Sequence, residues 1–97
     1  MAELRWTEEA VSWMEDIYRY IAADNPQAAS RVVNSIYEKA QMLGRFPRMG
    51  HAYRHEPEGE IRVFTYGHYR IAYLIRRENL IEILGVFHTA LEIDRYL

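Results

Sequence analysis

The order of apolar patterns predicts an α+β domain: a short N-terminal strand, an antiparallel helical hairpin, then an antiparallel β-meander with the helices on one sheet face. Three observations carry that prediction. Residues 8–44 hold two stretches in which apolar side chains recur at three- and four-residue steps. Residues 61–87 hold β-branched and aromatic runs separated by turn residues. The helical stretches precede the strand runs instead of alternating with them, which favours α+β over a parallel α/β layout.

Each element has a local reason. Ala2-Glu3-Leu4-Arg5-Trp6 alternates polar and apolar residues, as a short strand with Leu4 inward does. Thr7 is placed to cap a helix whose first turn holds Glu8 and Glu9, where the helix dipole favours acids. Ala10, Val11, Met14, Ile17, Tyr18 and Ile21 then form one apolar stripe. Asp24-Asn25-Pro26 ends that helix and starts another, because Asn caps well and Pro fits the first helical turn. The second helix carries Ala29, Val32, Val33, Ile36, Ala40 and Leu43 on one face, with Gly44 as its stop. So short a connection folds the two helices into an antiparallel pair.

Residues 45–59 lose all periodicity and read as an irregular loop, with Phe46-Pro47-Arg48-Met49-Gly50 and Glu56-Pro57-Glu58-Gly59 as its turns. Strands follow at 61–66, 69–75 and 80–87, joined by turns at Gly67-His68 and Arg77-Glu78-Asn79. The third, nearly all apolar, reads as the central strand, covered on both faces. Thr89 to Leu97 could form a short terminal helix.

Composition narrows the function classes. Ninety-seven residues make one domain, 1–97, able to bury roughly two thirds of its extended surface. The absence of cysteine excludes disulfides, thiolate metal sites and a thiol nucleophile. No apolar run approaches membrane-spanning length, and the first residues lack a signal-peptide layout, so the expectation is a cytoplasmic protein with no membrane contact. The net charge is −2 and the pI about 6.1, which argues against a general nucleic-acid coat. That total conceals a cationic middle. Residues 45–77 hold seven arginines against three glutamates, and the only lysine of the chain is Lys39.

Several quoted segments together carry a family likeness. They are Asp16-Ile17-Tyr18-Arg19-Tyr20-Ile21, Leu43 with Phe46-Pro47-Arg48-Met49-Gly50, Ile61-Arg62-Val63, Tyr69-Arg70-Ile71-Ala72-Tyr73, and Ile81 through His88. In this order and spacing the chain resembles the RelE/ParE superfamily of toxins from type II toxin–antitoxin pairs. The run Val86-Phe87-His88-Thr89-Ala90-Leu91-Glu92-Ile93-Asp94-Arg95 is most similar to the ParE, or plasmid-stabilisation, branch. One departure is visible: that branch usually closes the proline loop with Gly-Arg, and here it is Gly50-His51.

The resemblance implies a ParE-like toxin that inhibits DNA gyrase, needs no cofactor, is silenced by a ParD-like or RelB-like antitoxin, and meets operator DNA only through that antitoxin. It leaves two alternatives. One is a RelE-like ribosome-dependent mRNA endonuclease; the other is an inactive member that only binds its antitoxin. In the nuclease case Arg70 matches a phosphate-clamping arginine and His88 a general acid. Glu56, Glu58 and Glu60 are the available bases, and the spacing does not select among them. The simpler roles are that Arg70 braces a Glu on a neighbouring strand and His88 caps the terminal segment.

Other residues are candidates from spacing alone. Arg62 lies eight residues before Arg70, so a tight Gly67-His68 turn is expected to put both on one face as a phosphate or carboxylate site. His51 and His55 have a metal-ligand spacing if helical, yet no third ligand accompanies them, so no metal is expected. Trp13 and Tyr20 flank the main stripe of the first helix and suggest a strip for a partner helix. They join Arg54 and Arg62 as candidates for antitoxin contact. A near-neutral chain suits a protein target better than rRNA, whose binders neutralise many phosphates.

Overall fold

The computed structural model describes residues 2–76 and 79–97. Strand β1 spans Glu3–Trp6, and helices α1 and α2 span Glu8–Ala22 and Pro26–Arg45. Strands β2 His51–Glu56, β3 Gly59–Tyr66, β4 Tyr69–Arg76 and β5 Leu80–His88 follow, then a 3₁₀ turn at Ile93–Arg95. The sheet order is β1-β5-β4-β3-β2. Strands β2 to β5 form an antiparallel meander, and β1 adds to β5 in parallel.

Both helix starts form as their caps dictate. The Thr7 hydroxyl accepts from the Ala10 N–H at 3.1 Å and donates to the Ile83 carbonyl at 2.9 Å, so one side chain caps α1 and ties it to β5. The Asn25 side chain accepts from the Ala28 N–H at 3.0 Å, with Pro26 beginning α2. The hairpin covers one face of the sheet. Between them lies the main core, with Ala10, Met14, Ile36, Leu43, Ile71, Tyr73, Ile81 and Ile83 among its buried members. On the opposite face Val63, Ala72 and Phe87 are covered by Ile93 of the terminal segment.

Four expectations are corrected here. Residues 51–56 are a strand, not loop; an edge strand with only Tyr53 and Glu56 half-buried shows no apolar alternation. Its addition moves the centre of the sheet to β4, and β5 lies between β4 and β1. Gly44 does not stop α2, which runs on to Arg45. There the residue before β1 passes close: the Ala2 N–H donates to the Gly44 carbonyl at 3.0 Å, and a Cβ on Gly44 would lie 3.3 Å from the Ala2 oxygen. The terminal segment contains a single 3₁₀ turn in place of a helix. The expected turn at Arg77-Glu78 lies outside the described residues.

The Gly67-His68 turn is as tight as expected, with Gly67 at φ +58° and Tyr66 facing Tyr69. Its consequence for the arginines is the reverse of the expectation. Closing the hairpin on two residues pairs Arg62 with Tyr73 and Thr65 with Arg70. Even positions of β3 therefore share a face with odd positions of β4, and Arg62 and Arg70 point to opposite faces. No paired-arginine site forms.

Candidate functional site

Three places on the described surface could carry function. The first is the end of β4 and β5. Arg70 faces Phe87 across the strands, on the face away from the helices, and its guanidinium donates to the Thr89 carbonyl at 2.6 Å. No glutamate braces it among the described residues. His88 faces Tyr69, so it projects to the opposite side. Its ring lies edge-on to Tyr69 with centroids 5.6 Å apart and parallel to His68 at 6.0 Å. The Ala90 N–H donates to His88 Nδ1 at 3.0 Å, so His88 caps the terminal segment. Arg70 and His88 thus reach the same Thr89–Ala90 peptide group from opposite faces of the sheet, and both are engaged by it.

The three candidate bases are distributed elsewhere. Glu60 accepts from Arg62 at 2.9 Å and lies 3.5 Å from Arg48. Glu56 pairs with Arg54 at 2.8 Å, and Glu58 is exposed in the turn between β2 and β3. His51 and His55 sit exposed on strand β2, not on one turn of a helix.

The second place is the proline loop between α2 and β2, held by the buried Tyr73 and the largely buried Arg62. The Tyr73 hydroxyl, on a fully buried side chain, donates to the Pro47 carbonyl at 2.6 Å and accepts from the Gly50 N–H at 3.0 Å. Arg62 donates from Nε and Nη2 to the Gly50 carbonyl at 3.0 and 2.6 Å, from Nη2 to the Arg48 carbonyl at 3.3 Å, and from Nη1 to Glu60 at 2.9 Å. Gly50 has no room for a side chain: a Cβ would stand 2.7 Å from the Val63 oxygen and 2.8 Å from the Tyr73 hydroxyl. Burial disfavours charge on Arg62, but the bond and charge of Glu60 outweigh it and raise its pKa. Arg62 is therefore a clamp on the loop.

Burial also raises the Tyr73 pKa above the ordinary 10.0, against the pull of the Gly50 N–H and Arg62. The folded chain holds this proton more tightly than the unfolded chain does. The associated stability is intact below pH 10.0 and is lost as pH rises past that value. Tyr73→Phe orphans the Gly50 N–H and the Pro47 carbonyl and is expected to cost about 1–3 kcal/mol at neutral pH. Melting curves between neutral and strongly alkaline pH check both points, because the variant should lose less stability than wild type on the alkaline side.

The third place is an apolar groove of ~840 Å³ lined by both helices and β1. Val11, Tyr18, Val33 and Tyr37 line it together with Trp6 of β1, and the charged Glu15 and Arg19 complete its rim. Trp6 and Tyr37 stack at 5.9 Å. Val11 is 46% exposed, Tyr18 40% and Tyr37 50%. Val11 and Tyr18 therefore lie beside the core and not in it, as the predicted stripe had them. Trp13, by contrast, is covered: it packs edge-on against Phe87 at 4.7 Å and Tyr96 at 5.1 Å, under the terminal segment. Tyr20 stands alone at 85% exposure. Arg54 bonds Glu56 and the Leu97 carbonyl at the far edge of the sheet. The four antitoxin candidates thus form no single surface, and Tyr37 and Trp6 were missed. Their signal was the placement of Tyr37 one helical step beyond Val33 and Asn34.

A five-stranded sheet with one parallel edge and a helical hairpin on one face is the α+β architecture of the RelE/ParE superfamily of toxins, as the matches to known proteins show. A model of the ParE toxin of the type II toxin–antitoxin system parDE matches residues 4–92, and the chain belongs to that family. Y4kP of Sinorhizobium fredii, provisionally named a toxin, is 36% identical over 85 residues, which span 88% of this chain and 85% of that protein. A chain of the chromosomal ParDE system from P. aeruginosa superposes with a TM-score of 0.73 at 23% identity, over 91% of this chain and 96% of that one. A chain of the RelBE2 toxin–antitoxin complex from Mycobacterium tuberculosis does so with 0.67 at 28% identity, over 90% and 96%.

Proposed function

We propose that the chain is the toxin of a ParDE-type pair, acting in the cytoplasm as an inhibitor of DNA gyrase without hydrolysing nucleic acid. A ParD-like antitoxin holds it silent and carries the operator-DNA contact. The observation that supports this reading over mRNA cleavage is the placement of Arg70 and His88 on opposite faces of the sheet, each bonded to backbone. Cleavage through a ribose oxygen needs a base, an acid and a cation around one phosphate. Here the candidate cation and acid lie on opposite faces, and both bind the backbone of the terminal segment. The hairpin groove supports the antitoxin half of the reading, because an amphipathic helix laid in it would cover the exposed Val11, Tyr18 and Tyr37.

Inducible expression tests the proposal. Growth arrest with SOS induction and gyrase-linked DNA breaks is the expected outcome. Codon-phased mRNA cuts with an abrupt stop in translation would refute it. Arg70→Ala should cost about 1 kcal/mol through the lost Thr89 bond and leave the DNA damage unchanged. A variant that stays folded but is harmless would return Arg70 to the active machinery.

A further inference from the structure

One fully buried and one largely buried polar side chain are committed to a loop that turns Phe46 and Arg48 to solvent while Met49 packs on the core. Tyr73 is fully buried and the Arg62 side chain is 12% exposed, yet their hydrogen bonds go mainly to the backbone of Pro47, Arg48 and Gly50. Such clamping removes conformational freedom from the loop before any partner arrives. The loop nonetheless leaves Phe46 55% exposed and the Arg48 side chain 78% exposed. Met42 and Arg45 stand three apart at the end of α2, and Phe46 follows as its C-cap with its N–H on the Met42 carbonyl, so the three lie together, with Arg48 two residues on in the loop. Arg45 complements the dipole at that helix end, which accounts for its charge but not for an exposed Phe beside it.

The charge of the patch is positive. The carboxylate near Arg48 is Glu60, at 3.5 Å, and Glu60 is already bonded to Arg62 at 2.9 Å. A rigid aromatic flanked by arginines is the chemistry of an interface anchor. We infer that Phe46, with Met42, Arg45 and Arg48, is the knob by which the toxin docks on its target, an acidic protein surface with an apolar pocket that receives Phe46. This inference rests on the proposed gyrase-directed function. It assigns the knob to the target and not to the antitoxin, because the patch is basic and shares no residue with the apolar groove on the hairpin.

The test uses the full chain and its Phe46→Ser/Arg48→Glu variant. Both are assayed against purified DNA gyrase on plasmid DNA, for capture of the cognate antitoxin, and for melting temperature. The expected result is a loss of potency of roughly tenfold or more, as for removal of a central anchor, with melting and antitoxin capture unchanged. Equal potency of variant and wild type against gyrase overturns this inference alone. So does loss of antitoxin capture in step with potency, since the patch is then an antitoxin contact. A wild-type chain that cuts mRNA and spares gyrase overturns the functional reading, and this inference with it because the partner is then a nucleic acid.

Discussion

Gly59→Ala is expected to lower stability by about 4 kcal/mol, a large share of the 5–15 kcal/mol typical of a small domain. Gly59 opens β3, paired with Glu56 on one side and Arg76 on the other. An added Cβ would sit 1.9 Å from the Ile75 carbonyl oxygen and 2.9 Å from its carbonyl carbon. Those are backbone atoms of the middle strand, so no side chain can rotate away to make room. Either β3 separates from β4 over its first residues or the β2–β3 hairpin is pushed off the sheet, and both outcomes surrender ladder hydrogen bonds. A fall in melting temperature of roughly 15–30 °C should follow. Gly67→Ala is the control. That position meets nothing within 4 Å but holds φ +58°, so its cost is the left-handed conformation alone, about 1–2 kcal/mol. Equal melting temperatures for the two variants would show that the close approach at Gly59 does not govern the hairpin.

The two glycines also show how far the sequence could be read. The helices were legible because caps and a 3.6-residue period act locally: Thr7, Asn25 and Pro26 fall where they were placed. Strand β2 was not, since an edge strand buries too little to impose alternation, and its bulge between Ala52 and Arg54 breaks even the period of two. Gly44 reads as a helix stop until the N-terminal segment is known to pass over it. The phase of Arg62 and Arg70 was computable from a two-residue turn, but parity across a hairpin inverts the intuition drawn from counting along one strand. The groove was hidden for another reason. An apolar stripe does not say which of its edges the neighbouring helix covers, so Val11 and Tyr18 counted as core while Trp13 was offered to a partner.

That distinction between covered and open edges leads to the second large effect. Val11→Asp should uncouple the toxin from its antitoxin while leaving the toxin folded and active. Val11 lies near the start of α1, 46% exposed, where a carboxylate is compatible with the helix dipole and with water. In the free protein the substitution is therefore cheap. Beneath a docked amphipathic helix the same carboxylate would be desolvated among Tyr18, Val33 and Tyr37. The glutamate and arginine of the rim, Glu15 and Arg19, offer one repulsive and one attractive neighbour. Burying a charge without a dedicated partner in an interface typically removes 2–5 kcal/mol, which is roughly 30- to 5,000-fold in dissociation constant. Cells carrying the variant should arrest at antitoxin levels that fully protect cells carrying wild type, and the variant should not co-purify with the antitoxin. Trp13→Ala is the matching control: Trp13 packs under the terminal segment, so it should lower the melting temperature without weakening antitoxin capture by the folded fraction. Full protection of the Val11→Asp strain at wild-type antitoxin levels would remove the hairpin groove as the antitoxin's seat.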